Sequence, residues 1–304
     1  MFKKISVALL LGYATSAIAA PFGSQHVLVV EEGTGKVLLE KNANIAVPIA
    51  SLTKLMTAMV VLDSKPDMEE AISIDQTDVD MLKHSRSHVP VGATLPRKYV
   101  LQLALMASDN RAAASLARTY PGGNAAFVTA VHAKLKALGM NHTVIEEPTG
   151  LSSNNLSTAA DLVKMAEAAS KYPDIARITT DSRDIISING RSVEYHNTNQ
   201  LVGQQGWDIL LSKTGFTSEA GRSLIMRIKS ADGTVTLVLL NAKTNSARTL
   251  DAMNVRRFLA GKTTSLSQAS LSMRARHSIH HAKADSRKRH HRGPLAKASH
   301  PRLT

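Results

Sequence analysis

The sequence predicts an α/β protein of the α+β type, built on an antiparallel sheet whose first and last strands are neighbours. Three observations support this class: strand patterns open the chain, helical patterns fill its middle, and strand patterns close it. This order lets the terminal strands meet in one sheet and leaves helices to cover its faces. The chain has 304 residues, which is enough for a sizeable core in one or two domains.

The opening strands and the middle helices follow from local patterns. Residues 26–41 are predicted as a hairpin because two apolar runs flank a Gly33-Thr34-Gly35 turn. Helices are expected over residues 52–62, 99–106, 124–138 and 158–171. The second is apolar on all sides, which predicts burial all round. Asn124 is expected to cap the third and Gly139 to end it, and Thr158 begins the fourth.

The closing strands are predicted over residues 208–211, 223–228 and 234–240. An Asp232-Gly233 turn joins the last two, which predicts a hairpin. Beyond about residue 262 the periodicity ends. Residues 263–304 are rich in Ser, Ala, His, Arg and Lys, and we predict a disordered tail there.

Residues 1–19 are predicted to be a signal peptide. Lys3 and Lys4 precede a short apolar run, and residues 17–19 form a small-x-small cleavage site. The run is too short to span a bilayer comfortably, although a retained membrane anchor is the alternative. We expect the mature chain to begin near Ala20, to be exported and to contain no transmembrane segment.

The net charge of +13 is concentrated at the chain ends. Residues 1–19 carry +2 and residues 271–304 carry +8, which leaves +3 for the remainder. A nearly balanced central domain, residues 20–262, argues against a globular nucleic-acid-binding protein. The chain has no Cys, which excludes disulfides, thiolate metal sites and Cys nucleophiles. The basic tail is a candidate contact with an anionic envelope surface.

Three short motifs carry the predicted chemistry. They are Ser51-Leu52-Thr53-Lys54, Ser108-Asp109-Asn110 and Lys213-Thr214-Gly215. Each is weak alone, and Ser152, Ser153 and Ser187 also begin Ser-x-Asn matches. Together and in this order they match the signature of serine penicillin-recognising enzymes.

The first motif supplies a nucleophile and its base. Ser51 and Lys54 are three residues apart on one helix, so their side chains share a face. A Lys accepts a proton from Ser when burial or a neighbouring cation lowers its pKa. The apolar neighbours of Lys54 supply burial, and Lys213 is a candidate second cation. Ser51 at a helix N-terminus also directs backbone N–H groups at a developing oxyanion.

The other two motifs supply proton relay and substrate binding. Ser108 is expected to relay a proton between Lys54 and the leaving amine. Asn110 offers both a donor and an acceptor to a substrate amide, and Gly215 allows close backbone approach. The N–H of Phe216 is the expected second oxyanion donor, beside that of Ser51. The predicted substrate-binding residues are Asn110, Lys213, Thr214, Gly215 and Phe216.

Longer segments resemble the low-molecular-mass serine penicillin-binding proteins, and within them the D-alanyl-D-alanine endopeptidases. The similar segments are residues 48–51, 55–63, 110–117, 147–152, 197–199 and 213–217, within a resemblance that covers residues 25–260. The resemblance implies a penicillin-binding/serine β-lactamase-like fold with a helical subdomain. It also implies a periplasmic enzyme that acts on peptidoglycan stem peptides and binds β-lactams.

The same resemblance implies Ser51 as acyl-enzyme nucleophile, Lys54 as proton acceptor, Ser108 in the site and Lys213 in substrate binding. The chain departs from a close relative at Asp109, where that relative has Glu. The position is not expected to act directly in the chemistry.

The resemblance leaves several activities open. A DD-endopeptidase is favoured over a D-Ala-D-Ala carboxypeptidase, because residues after Lys213 complete the sheet without room for a second β domain or an apolar anchor helix. A β-lactamase is the third candidate, since Glu147 raises the question of an activated water, although its turn is typical of the peptidases. A wall- or nucleic-acid-binding protein with vestigial motifs is the fourth. No cofactor is expected, and the His residues of the tail and His84 with His88 form poor metal sites.

Overall fold

The computed structural model describes residues 22–261. The predicted signal peptide, residues 1–19, and the predicted tail, residues 263–304, therefore lie outside the described residues. The described residues divide between two units, residues 22–255 and residues 256–261. Of the second unit only residues 256–261 are described, and they are helical. Within the described part of the chain, no helix is long and apolar enough to cross a membrane.

A five-stranded antiparallel sheet forms the centre of the first unit. Its strands are β1 His26–Glu31, β2 Lys36–Lys41, β9 Ile209–Thr217, β10 Gly221–Ser230 and β11 Gly233–Ala242. They lie in the order β2-β1-β11-β10-β9. Strand β1 pairs with β11, from His26 opposite Leu240 to Glu31 opposite Val235. This confirms the predicted sheet with adjacent terminal strands, and it leaves β9 at an edge.

Both faces of the sheet are covered, because successive side chains of its central strands point alternately into two apolar layers. Leu28 and Val238 face the main core together with Leu162 of helix α5, Ala159–Ala169. Val29 and Leu237 are equally buried but lie outside that core. A helix over residues 245–255, α7, supplies further buried residues there. The predicted placement of helices on both faces is confirmed.

The helices of the middle region gather on one side of the sheet. They are α1 Thr53–Asp63, α2 Arg97–Leu105, α3 Asn110–Arg118, α4 Gly123–Ala137 and α6 Pro173–Thr180, with 3-10 turns at Ala50–Leu52 and Gln76–Asp78. Four of the helices, α1, α2, α4 and α5, were predicted. Thr158 caps α5 by accepting from the Asp161 N–H, as expected.

The predicted cap of α4 is wrong. Gly122, in the left-handed region at φ +86°, precedes the first helical residue, so Asn124 lies inside the helix. A glycine reaches this conformation without steric cost, which moves the helix start back by one residue. Gly139, at φ +62°, follows the end of the helix as predicted.

Three further pairs of short strands lie outside the five-stranded sheet among the described residues. Strand β3 Val47–Pro48 pairs with β6 Leu156–Ser157, and β4 Ala71–Ser73 with β5 Thr94–Pro96. A separate hairpin joins β7 Arg183–Ile188 to β8 Arg191–His196. The β3–β6 pair brings the turn before α1 next to the loop that precedes β6. That neighbourhood positions the candidate active site.

Candidate active site

Ser51 lies at the N-terminal entry to α1. The 3-10 turn Ala50–Leu52 leads directly into the helix, and Ala50 adopts a left-handed φ of +48°. A non-glycine residue in this region is uncommon and is a feature of functional sites. The turn presents Ser51 at the wall of a cavity while Leu52 and Leu55 are buried in the core.

Lys54 is fully enclosed, with 1% of its surface exposed. Its Nζ lies 2.9 Å from Ser51 Oγ, 2.7 Å from Asn110 Oδ1 and 2.7 Å from the Thr149 carbonyl oxygen. A charged amine donates to all three oxygens. A neutral amine has two N–H groups for Asn110 and Thr149 and a lone pair for the Ser51 hydroxyl. The geometry therefore suits proton transfer between Ser51 and Lys54.

Burial lowers the pKa of Lys54 to about 8, although the carboxylates of Glu147, Asp109 and Asp80 act in the opposite direction. Lys213 is also 1% exposed. Burial, together with the positive charges of Lys54 and Arg248, holds its pKa well below the usual value. Two buried amines thus lie in one site, and the charge of Lys54 disfavours the charged form of Lys213.

Ser108 joins the second motif to the third. It lies between α2 and α3 at a left-handed φ of +59°. Its Oγ accepts from Lys213 Nζ at 2.8 Å. The structure therefore places Ser51 with Lys54 and Ser108 with Lys213, as two hydroxyl–amine pairs around one cavity.

Asp109 has a structural role at the start of α3. Its carboxylate caps α3 by accepting from the Ala112 N–H, and it also accepts from the Ser87 hydroxyl and the His88 N–H. A short acidic side chain suits an N-cap. The residue therefore holds the start of α3 and the loop before β5, and its side chain does not line the cavity.

Asn110 is held between Lys54 and a neighbouring loop. Its Oδ1 accepts from Lys54, and its Nδ2 donates to Ser85 Oγ at 2.8 Å. An amide has a second N–H and a second lone pair, so the side chain keeps one donor for a substrate carbonyl. Asn110 lines the cavity with Ser51 and Ser108.

Gly215 allows a close approach that the sequence did not predict. A Cβ added to it would lie 2.9 Å from the Ile49 carbonyl oxygen and 3.3 Å from the Ser51 nitrogen. This close approach is that of β9 to the turn that carries Ser51. Phe216, the next residue, is 50% exposed, and the Arg222 guanidinium lies 3.3 Å above its ring.

The cavity at Ser51 has a volume of about 370 Å³. Its walls are Ser51, Ser108, Asn110, Thr198, Gln200, Thr214, Gly215, Phe216, Arg222, Asn245, Arg248 and Thr249. All the predicted site residues meet here, with Lys54 and Lys213 buried behind the wall. Thr214 Oγ1 is tied to Thr198 Oγ1 at 2.6 Å.

Sequence reasoning missed Arg248, which reaches the cavity from α7. The residue is 7% exposed, and its Nη1 donates to the Ser223 carbonyl oxygen at 3.3 Å. Burial and the nearby Arg222 lower its pKa to about 10, so it stays a cation at neutral pH. Among the described residues, neither Arg222 nor Arg248 forms an ion pair with a carboxylate. Two guanidinium groups that form no ion pair among the described residues therefore line one cavity, and such groups suit an anionic group in a ligand.

Glu147 fixes the loop that supports Lys54. Its carboxylate accepts from the backbone N–H groups of Thr149 and Gly150 at 2.7 and 2.6 Å and from Asn155 Nδ2 at 3.0 Å. The loop in turn offers the Thr149 carbonyl to Lys54. Within residues 22–261, no group of three or more His, Asp or Glu side chains is arranged to hold a metal ion.

Gly150→Ala is expected to damage both stability and acylation. Gly150 has φ +85°, and an added Cβ would lie 1.9 Å from the Ala50 carbonyl oxygen and 2.8 Å from the Ser51 nitrogen. The loop and the nucleophile turn must separate, at a cost of at least about 2 kcal/mol of unfolding free energy. Thermal unfolding and the acylation rate with penicillin measure the two effects. Gly190→Ala, at another left-handed turn with open space around it, is the control and should leave acylation unchanged.

Solved structures share this architecture. The Streptomyces DD-transpeptidase superimposes with a TM-score of 0.73 at 25% identity, over 80% of this chain and 98% of that one. A D-alanyl-D-alanine carboxypeptidase from Mycobacterium tuberculosis has the same fold, with a TM-score of 0.71 at 23% identity over 81% of this chain and 94% of that one. This fold, with a Ser–Lys pair in its cleft, is that of the penicillin-binding serine DD-peptidases.

Sequence comparison gives the family within this class. The family model described as D-alanyl-D-alanine carboxypeptidase matches residues 14–244. A D-alanyl-D-alanine endopeptidase from Pseudomonas aeruginosa is 41% identical over 90% of this chain and 93% of its own length. An Escherichia coli protein of the same name is 41% identical over 85% of this chain and 84% of its own length. The chain belongs to the D-alanyl-D-alanine carboxypeptidase family of serine peptidases, which confirms the resemblance seen in the sequence.

Proposed function

We propose that the protein is a serine DD-endopeptidase that hydrolyses the D-Ala to diaminoacyl cross-links of peptidoglycan. The observation that carries the proposal is the buried Lys54, whose Nζ is 2.9 Å from Ser51 Oγ. Ser51 lines a cavity with Arg222 and Arg248, which form no ion pair with a carboxylate among the described residues. A lowered pKa makes Lys54 a base, and the arginines suit a carboxylate on the substrate. The endopeptidase names of the 41% identical relatives support the choice of substrate.

In acylation, Ser51 Oγ attacks the carbonyl carbon of the D-alanine before the scissile bond. Its proton moves to neutral Lys54 Nζ, 2.9 Å away. The N–H groups of Ser51 and Phe216 stabilise the oxyanion. As the C–N bond breaks, the leaving amine takes a proton from Lys54 by way of the Ser108 hydroxyl, which Lys213 holds at 2.8 Å. Water then hydrolyses the ester and regenerates Ser51.

The leaving residue carries a carboxylate next to the amine that is released. Thr214, Arg222 and Arg248 lie together on the cavity wall, and we assign the carboxylate to this end. The same cavity continues to Gln200, Asn245 and Thr249. That space accommodates the long side chain of a diaminoacyl residue, whereas a D-alanine leaving group needs only a methyl group. The shape of this end therefore favours endopeptidase over carboxypeptidase activity.

Purified cross-linked dimer and pentapeptide monomer test this assignment. We expect a higher kcat/KM on the dimer, because only the dimer fills the leaving-group end. Thr249→Trp narrows that end and should lower dimer hydrolysis by about tenfold or more, while pentapeptide hydrolysis changes by less than about threefold. Chromatography of the products measures both. Preference for the pentapeptide would identify a carboxypeptidase instead.

The penicillin adduct is expected to be long-lived. The Glu147 carboxylate accepts hydrogen bonds from backbone N–H groups of its own loop. It is therefore poorly placed to activate a deacylating water. Rapid turnover of penicillin would favour the β-lactamase alternative. Release of labelled penicillin from the protein over time distinguishes the two.

We further propose that residues 1–19 direct export to the periplasm, that residues 20–262 form the catalytic domain, and that the basic residues 263–304 hold the enzyme near an anionic envelope surface. The charge of +8 in residues 271–304 supports the last point. Such binding weakens with ionic strength. Binding to isolated cell walls that does not respond to salt would contradict it.

A further inference from the structure

Every arginine of residues 22–255 that forms no ion pair with a carboxylate among the described residues lines a cavity. Arg222 and Arg248 line the catalytic cavity, whereas Arg86, Arg111 and Arg191 line two further cavities. The other arginines of this range pair with Asp or Glu side chains. The mechanism above uses only the first two, so the other three need a separate explanation.

The two further cavities are neighbours that share His88. One has a volume of about 410 Å³ and is lined by residues 79–80, residues 84–88 and Arg111. The other has a volume of about 420 Å³ and is lined by residues 88 and 90 and by the β7–β8 hairpin, including Arg191. We call Arg86, His88, Arg111 and Arg191 the arginine surface. None of these four side chains lines the catalytic cavity.

A buried carboxylate fixes the backbone of the arginine surface. Asp109 is buried and caps helix α3, whose second residue is Arg111. The same carboxylate accepts from the Ser87 hydroxyl at 2.8 Å and from the His88 N–H at 3.1 Å. Asp109 therefore holds both the helix that carries Arg111 and the loop that carries Arg86 and His88.

Side-chain contacts fix the surface further. Arg111 Nη1 donates to the Val89 carbonyl oxygen at 2.7 Å, which orients the guanidinium. The His88 ring packs edge-on against Tyr195 of β8, with the ring centroids 6.5 Å apart. Tyr195 is buried, and Arg191 lies four residues before it on the same side of the strand. Groups held in this way lose little freedom when a ligand binds.

The charge of the arginine surface is positive. Arg86, Arg111 and Arg191 remain cations at any physiological pH. Asp80 is the acidic residue among those that line the two cavities, and its carboxylate accepts from backbone N–H groups of its own loop. Guanidinium groups bind carboxylates through two parallel hydrogen bonds. Three of them around adjoining cavities suit a partner that carries several carboxylates.

We propose that the arginine surface binds carboxylates of the peptidoglycan polymer outside the cross-link that is being cut. Arg86 follows Ser85, whose hydroxyl accepts from Asn110 of the catalytic cavity. A polymer seated in that cavity can therefore reach the surface with stem peptides that are not being hydrolysed. Their binding raises the local concentration of the polymer at the nucleophile without a contact to the scissile bond. The inference rests on the proposed action on peptidoglycan and adds a second contact with the same polymer.

Intact sacculi and the soluble cross-linked dimer test the proposal with the full-length mature enzyme, because only the sacculus extends far beyond the cross-link. Arg86→Gln/Arg191→Gln removes two exposed guanidinium groups of the surface. We expect product release from sacculi to fall about fivefold, while dimer hydrolysis and penicillin acylation change by less than about twofold. Arg177→Gln/Arg183→Gln removes the same charge from two exposed arginines that are paired with carboxylates, and it should leave sacculus hydrolysis unchanged.

Co-sedimentation with sacculi tests the chemistry of the partner. The protein is first acylated with penicillin, so that it binds the sacculus without cutting it. Arg86→Gln/Arg191→Gln should weaken binding, and the difference from the wild type should shrink as salt is added. Conversion of the sacculus carboxylates to amides should remove that difference. A variant that binds sacculi normally but loses binding to phosphatidylglycerol vesicles would assign the surface to a lipid phosphate and contradict the proposal.

The two substrates separate this inference from the proposed function. Equal hydrolysis of sacculi by the wild type and Arg86→Gln/Arg191→Gln would overturn the inference alone. Failure of the wild type to hydrolyse the soluble dimer, with penicillin acylation intact, would overturn the proposed function and the inference with it.

Discussion

Ser51→Ala is expected to abolish the covalent penicillin adduct and to lower hydrolysis of DD-peptides by at least about 10⁴-fold. Lys54 Nζ has three oxygen neighbours, and Ser51 Oγ is the hydroxyl among them; the others are the Asn110 amide and Thr149 carbonyl oxygens. Neither of those forms an acyl-enzyme. Gel labelling with a fluorescent penicillin and chromatography of peptide products measure the two losses.

Two other serine variants serve as controls for the Ser51→Ala result. Ser218→Ala alters an exposed serine in the β9–β10 turn and should leave labelling unchanged. Ser108→Ala removes the hydroxyl bound to Lys213, so we expect slower labelling, by about 10²-fold or more, rather than none. Covalent labelling of the Ser51→Ala protein would show that another residue is the nucleophile. Equal total loss in Ser108→Ala would show that its hydroxyl is not merely a relay.

The sheet was predictable because its strands carry strong local patterns and lie at the two ends of the chain. The β7–β8 hairpin was missed although a signal was present: Asn189-Gly190 lies between alternating apolar residues, which is the strongest short-range sign of a two-residue turn. Helix α3 was also missed although a signal was present. Its buried residues, including Ala112, Ala113 and Ala117, share one face, and Arg111 and Arg118 lie on the other.

The Ser51–Lys54 pair was predictable because both residues belong to one short motif. The Ser108–Lys213 pair was not predicted, because it joins two motifs that are 105 residues apart in the chain. The groups that complete the site come from long-range contacts. Arg248 reaches the cavity from α7, and Ser85 bonds to Asn110 from a loop 25 residues away. Nothing in their local sequence distinguishes them from surface residues. The close approach at Gly215 could not be predicted either, because the turn that approaches it is more than 160 residues earlier in the chain.

The acylation rate should rise with pH and level off above about pH 8. Lys54 accepts the Ser51 proton only as the neutral amine, and burial lowers its pKa to about 8. Below this pKa each unit of pH reduces the neutral fraction tenfold, so kcat/KM for penicillin acylation should fall by about tenfold per unit. A rate that is independent of pH between 6 and 9 would contradict the role of Lys54 as base.

Lys213 requires a separate control because its pKa is lowered by the same burial and by Lys54 itself. Two such amines titrate as a pair, so a profile alone does not assign the base. Lys213→Arg places a permanent cation beside Ser108 and removes one titrating amine. The acylation rate of that variant should still rise toward pH 8, although it should be lower than the wild-type rate. Lys54→Arg, which retains the charge but no base, should lose acylation by about 10³-fold or more at every pH.

The direction in which Glu147→Gln changes the acylation rate tests whether Lys54 acts as a base. The Glu147 carboxylate raises the pKa of Lys54 against the larger effect of burial. Gln keeps a side-chain oxygen that can accept from the Gly150 or Thr149 N–H, but it removes the charge. The pKa of Lys54 should therefore fall, and the rising limb of the profile should move to lower pH, with faster acylation per folded molecule at pH 6. If Lys54 were needed as a cation, the same shift would slow acylation at neutral pH. The direction of the change therefore distinguishes a general base from a fixed positive charge.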